Sequence, residues 1–152
     1  MRQSPVILLV VVLLISFYGC KKNSSTKMDY KMTGSVNGAA FDGTNTLAMT
    51  GPDSILNIYG GFFSGNAISA PYIFLNICPY RGVGTYVIPT PPWGSVTRNY
   101  ASIDSSNYYS MNGVSAYGTI IITASSPDIV GSFNFTTVDS AKVYGTFAVK
   151  AP

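Results

Sequence analysis

The sequence predicts an all-β chain, an antiparallel β-sandwich of about eight or nine short strands, with a small β-barrel as the alternative closure. Three observations carry this reading. The chain holds 11 tyrosines and 8 phenylalanines, and beyond residue 19 its only leucines are Leu47, Leu56 and Leu75, a composition poor for helices and good for strands. Apolar and polar residues alternate with a period of two in several segments. Gly, Pro, Asn and Asp interrupt the chain too often for long helices.

Residues 1–19 stand apart from that pattern. Arg2 precedes an unbroken apolar run over residues 6–15, too short to cross a bilayer as a helix, which takes about 20 residues, and of the right length for the core of a signal peptide. Most of the positive mean hydropathy of +0.27 comes from this leader. The run closes on Ser16-Phe17-Tyr18-Gly19-Cys20.

Gly19-Cys20 resembles the junction of a bacterial lipoprotein signal, a small residue followed by the obligatory cysteine. Phe17 and Tyr18 depart from the commonest form, and the lysines of Cys20-Lys21-Lys22 make the box similar to those of Bacteroidota lipoproteins. The resemblance implies cleavage between Gly19 and Cys20, a diacylglycerol on the Cys20 sulfur and an acylated amino terminus. More than one acyl chain gives a stable anchor. Residues 20–28 then read as a polar tether. The tether lacks acidic residues, and within that resemblance this favours the periplasmic face of the outer membrane over the cell surface.

Residues 29–152 form the single domain. Tyr30, Met32 and Val36 alternate with Lys31, Thr33, Ser35 and Asn37, and Asn37-Gly38 is a two-residue hairpin signal that turns this strand into a segment through Phe41. Shorter or more buried strands are expected over residues 54–59, 72–78, 85–88, 98–103 and 115–124, each bounded by turn formers. Ser125-Ser126-Pro127-Asp128 turns the chain into a strand in which Ile129, Phe133 and Phe135 alternate with Ser132, Asn134 and Thr136. A turn at Asp139-Ser140 leads to the last strand, with Val143, Phe147 and Val149 on one face and Lys142, Tyr144, Thr146 and Lys150 on the other. The C-terminal third is therefore a meander. Glycine followed by a hydroxyl residue and a β-former recurs at Gly84, Gly118, Gly131 and Gly145, too irregularly for a solenoid. These glycines read as strand starts or bulges beside which aromatics pack.

Gly34-Ser35-Val36-Asn37-Gly38-Ala39-Ala40-Phe41, Gly84-Thr85-Tyr86, residues 129–135 and Gly145-Thr146-Phe147 are together similar to segments of small, uncharacterised Bacteroidota outer-membrane lipoproteins with a β-rich domain. That likeness implies location and fold, and no site residues.

Function classes are narrowed by absences. The chain has no histidine, which removes His-based catalysis and His-ligated metal. Its acids are six aspartates, mostly in turns, where the side chain bonds nearby amides. Nothing in their spacing forecasts the facing carboxyl pair of a glycosidase. Asp42-Gly43-Thr44-Asn45 falls short of a calcium loop and reads as a turn. From Met28 onward Lys31, Arg81, Arg98, Lys142 and Lys150 face six aspartates, so there is no basic patch for nucleic acid. No enzyme activity, cofactor or metal is expected. With Cys20 acylated, Cys78 has no partner for a disulfide and reads as a small buried hydrophobe.

The best contact candidate is the stiff loop Pro89-Thr90-Pro91-Pro92-Trp93-Gly94 with Tyr100 close behind it, extended by Tyr108 and Tyr109. Displayed aromatics suit a sugar face or a protein partner, and the competing reading has Trp93 folded inward as a cap. Asp53-Ser54-Ile55 and Asp139-Ser140-Ala141 are similar to the O-glycosylation triplets of Bacteroidota glycoproteins, which makes Ser54 and Ser140 candidate acceptors. The expectation is thus a lipid-anchored, non-catalytic module that binds a glycan or an envelope protein. The alternative is a structural protein that assembles through strand edges.

Overall fold

The computed structural model describes residues 28–64, 67–90, 98–104 and 115–152. They form ten strands: β1 (Met32–Val36), β2 (Ala39–Gly43), β3 (Asn45–Gly51), β4 (Ile55–Ser64), β5 (Ala67–Ile77), β6 (Gly84–Ile88), β7 (Tyr100–Asp104), β8 (Ser115–Ala124), β9 (Asp128–Thr137) and β10 (Lys142–Lys150). Two antiparallel sheets result, one of six strands in the order β2-β1-β10-β9-β8-β6 and one of four in the order β3-β4-β5-β7. The sheets do not close into a barrel, so the fold is the sandwich.

The hairpin chemistry works as the residues dictate. Asn37 and Gly38 have φ of 50° and 84°, the pair of positive values a type I′ turn needs, and β1 and β2 pair in register from Val36↔Ala39 to Met32↔Gly43. The Asn37 side chain also accepts the Lys142 amide at 2.8 Å, tying the turn to β10. Between β9 and β10 the Ser140 amide donates to the Thr137 carbonyl at 2.9 Å, and Ser140 takes φ 69°. This is a type I turn followed by a left-handed residue, the usual three-residue hairpin. Buried Thr137 holds the loop shut through Asp139 and the Ala141 amide. The meander β8-β9-β10 stands as expected.

β3 is a strand that the sequence reading lacks. Its alternation is inverted, because Leu47 and Met49 point outward at 41% and 42% exposure while only Ala48 is buried. β4 and β5 are also longer than expected, running through Gly60-Gly61 and Pro71. Pro71 is accommodated because the register jumps there, from Gly61↔Tyr72 to Phe62↔Ser69, and a bulge spares it a ladder hydrogen bond. Asp42-Gly43-Thr44-Asn45 is the crossing from β2 in one sheet to β3 in the other.

The core lies between the sheets. Leu56, Ile58, Ile73, Leu75 and Ile77 on one side face Met32, Ile120, Ile122, Phe135, Val143 and Val149 on the other, all essentially inaccessible. Cys78 is free and buried at the core margin. Side chains and backbone stitch both flanks. Thr46 donates to the Ala148 carbonyl at 2.7 Å on one flank. On the other, the Ala101 amide donates to buried Ser115 Oγ at 2.9 Å, while Asn99 accepts the Cys78 amide and donates to the Val87 carbonyl, each at 2.9 Å. Tyr86 locks the approach to β6, its hydroxyl donating to the Gly82 carbonyl at 2.7 Å and accepting the Arg81 amide at 2.9 Å, a tyrosine corner in kind.

Candidate functional site

The outer face of the four-stranded sheet carries an aromatic row. On β5, Ile73, Leu75 and Ile77 point into the core, so the alternation turns Tyr72, Phe74 and Asn76 outward. Registers Tyr59↔Phe74 and Asn76↔Tyr100 place β4 and β7 side chains beside them. The Tyr59 and Phe74 ring centroids are 4.6 Å apart, and Tyr100 meets Phe74 edge to face at 5.4 Å. Leu47 and Met49 border the row on β3, opposite Tyr59 and Asn57.

Polar groups beside the rings are amides and phenols, with the Asp104 carboxylate at the Tyr72 end of the face. Asn76 Nδ2 donates to Asn57 Oδ1 at 2.7 Å. Asn76 Oδ1 is buried and has no hydrogen-bond partner among the described residues. Burial pushes the Tyr59 and Tyr100 phenols above their ordinary value, and Tyr72 is raised by burial and then by the nearby Asp104 carboxylate. All three are therefore neutral donors and acceptors at physiological pH. Stacked rings with neutral hydrogen-bonding neighbours suit an uncharged, partly apolar ligand such as the face of a sugar ring.

Of the contact residues expected from sequence, Tyr100 is on this face. Trp93, Tyr108 and Tyr109 lie outside the described residues, as do Gly19 and Cys20. Sequence reasoning missed Tyr59, Phe74, Asn57 and Asn76, because β4 and β5 are apolar on both faces and read simply as buried strands. The available clue was the amides: Asn57 and Asn76 interrupt otherwise apolar runs at outward positions.

Ser54 and Ser140, the candidate acceptors, are both exposed, on separate turns and with positive φ of 58° and 69°. The aspartates are dispersed. Asp29 pairs with Lys31 at 2.9 Å on the surface, Asp128 accepts the Tyr30 hydroxyl at 2.7 Å, and Asp139 accepts Thr137. Among the described residues no group of three or more metal-ligating side chains converges.

A concavity of about 500 Å³ sits on the six-stranded sheet, with Val87, Pro89, Tyr117, Asn134 and Thr136 in its wall. Tyr117 and Val87 are well exposed there. The outward-facing rings of Tyr59, Phe74 and Tyr100 that touch one another lie on the other sheet. Comparison of the chain with protein-family models, with curated proteins and with solved structures finds no match.

Proposed function

We propose that this chain is a lipid-anchored, non-catalytic binding module of the cell envelope, held at the periplasmic face of the outer membrane through Cys20, and that its four-stranded sheet takes a neutral glycan. The observation that carries the ligand class is the Tyr59–Phe74–Tyr100 row, three aromatic side chains in contact on an outward face rather than in the core. A sugar's axial C–H face stacks on such rings while its hydroxyls reach the phenols and amides beside them. The leader, with Gly19-Cys20 and the lysine-rich tether, supports the anchor and the location.

Affinity electrophoresis through gels holding neutral gluco-, manno- or chito-polysaccharides tests this reading. Retardation by one of them, weakened about tenfold by Phe74→Ala or Tyr100→Ala, is the expected result. Unretarded migration through every gel, or retardation indifferent to both substitutions, contradicts it.

The alternative, assembly through strand edges, rests on β2 and β6 at the borders of the six-stranded sheet. β2 spans 5 residues and presents exposed Asp42, features that discourage edge pairing. A strictly monomeric species in size-exclusion chromatography argues against it.

A further inference from the structure

We infer that the glycan is an N-acetylated one, with the acetamido group of a hexosamine seated between Asn57 and Met49, where β3 borders the aromatic row. The inference rests on the glycan reading above and narrows its ligand from neutral sugars at large to those bearing one substituent.

The surroundings of that substituent follow from strand pairing. On β4, Leu56 and Ile58 are wholly buried in the core, so Asn57 and Tyr59 both point outward, roughly 7 Å apart along the strand. A pyranose stacked on the Tyr59 and Phe74 rings brings the group on its C2 carbon within reach of Asn57. On β3 Ala48 turns inward, which leaves Leu47 beside Tyr59 and Met49 beside Asn57 on the outer face, both exposed. Side chains paired in this way stand about 5 Å apart at Cβ.

The chemistry of the pair then selects the substituent. Asn76 is 5% exposed, and its Nδ2 donates to Asn57 Oδ1 at 2.7 Å. That bond occupies the Asn57 acceptor, so the group Asn57 offers a ligand is its NH2, a donor. Beside this donor lies Met49, apolar and adaptable in shape. A donor flanked by an apolar side chain matches an acetamido group, whose carbonyl oxygen accepts from Asn57 Nδ2 while its methyl lies against Met49 and Leu47. The hydroxyl that a gluco- or manno-sugar carries at the same carbon has no methyl and leaves both apolar side chains in water.

Charge agrees with the acetylated form. Leu47, Met49, Asn57 and Tyr59, the side chains around the proposed seat, are all uncharged. Asp104, the carboxylate on this face, is on β7 at the opposite border of the sheet. A free amine at C2 would be a cation and would find its counter-charge there, far from Asn57, whereas an acetamido group needs none.

Calorimetric titration of the full acylated chain in zwitterionic detergent micelles, with tri-N-acetylchitotriose against cellotriose, tests the inference, because the two trimers share one β-1,4-linked skeleton and differ at C2. The acetylated trimer should bind at least about tenfold tighter. Asn57→Asp keeps an acceptor for Asn76 and removes the donor, so it should bring the two affinities within about twofold of each other and leave that for cellotriose unchanged. Met49→Ser, at an exposed position where folding is not at stake, should weaken the acetylated trimer alone, by about threefold. Equal affinities in the wild type, tighter cellotriose, or binding of mannotriose in place of both overturn the inference and leave the glycan reading standing. A preference for the acetylated trimer that survives both substitutions overturns it as well. Binding of none of the three trimers refutes the glycan reading and the inference together.

Discussion

Phe133 and Phe147 stack at 6.4 Å with their rings 19° apart, each lying over the glycine directly opposite it on the β9–β10 ladder. A Cβ at Gly145 would come within 2.8 Å of the Phe133 ring, and one at Gly131 within 2.6 Å of the Phe147 ring. Gly131 and Gly145 are therefore sockets for inward-facing aromatics, which lets two phenylalanines pack in a thin sandwich.

Gly145→Ala follows directly. Its methyl would also meet the Thr33 carbonyl at 2.2 Å, a backbone atom that cannot swing aside. A loss of about 1–3 kcal/mol is expected, measured by denaturant unfolding. Wild-type stability in this variant would contradict the packing described.

Ser140 holds φ 69° in the β9–β10 turn without the freedom of glycine. Ser140→Gly should leave the turn intact and raise stability by up to about 1 kcal/mol, visible as a higher Tm. A lower Tm would show that the serine side chain contributes more than its backbone strain costs.

Tyr86→Phe removes the hydroxyl that serves both the Gly82 carbonyl and the Arg81 amide. The ring is kept, so the loss reports the corner itself, about 1–2 kcal/mol. Loss of slow amide exchange at Arg81 would accompany it. Unchanged stability together with unchanged exchange would remove the corner's role.

The Tyr30 phenol is raised above its ordinary value of 10.0 by its hydrogen bond to Asp128, then by desolvation and by that carboxylate's charge. A raised folded value means the contribution is complete below about pH 10 and disappears as pH climbs through the raised value. Tyr59, Tyr72 and Tyr100 are shifted the same way, so stability should decline on the alkaline side. Spectrophotometric titration of wild type against Tyr30→Phe reads the Tyr30 step directly, and a midpoint at or below the ordinary value would contradict the bond.

Much of the fold was legible because its turns use residues with unambiguous backbone preferences. Asn37-Gly38 and the β8–β9 turn each fix a register, and alternation over β9 and β10 assigns their faces. β3 escaped because its larger apolar side chains, Leu47 and Met49, face outward, so period-two reasoning had no buried stripe to find. The same cause hid most of the candidate site. Tyr59 and Phe74 sit in strands whose neighbours are apolar on both faces, and only the two-sheet arrangement decides which residues face the core. Tyr100 was found for its nearness to the proline-rich loop, yet its partners are Phe74 and the β5 face, brought beside it by pairing across more than twenty residues.

Amide chemical-shift mapping of the domain with neutral oligosaccharides tests the central claim most directly. Shifts should concentrate at Asn57, Tyr59, Phe74, Asn76 and Tyr100 and vanish in Phe74→Ala. A spectrum unmoved by gluco-, manno- and chito-oligosaccharides alike, or shifts gathered instead around Val87 and Tyr117, would contradict the assignment of this face as the binding surface.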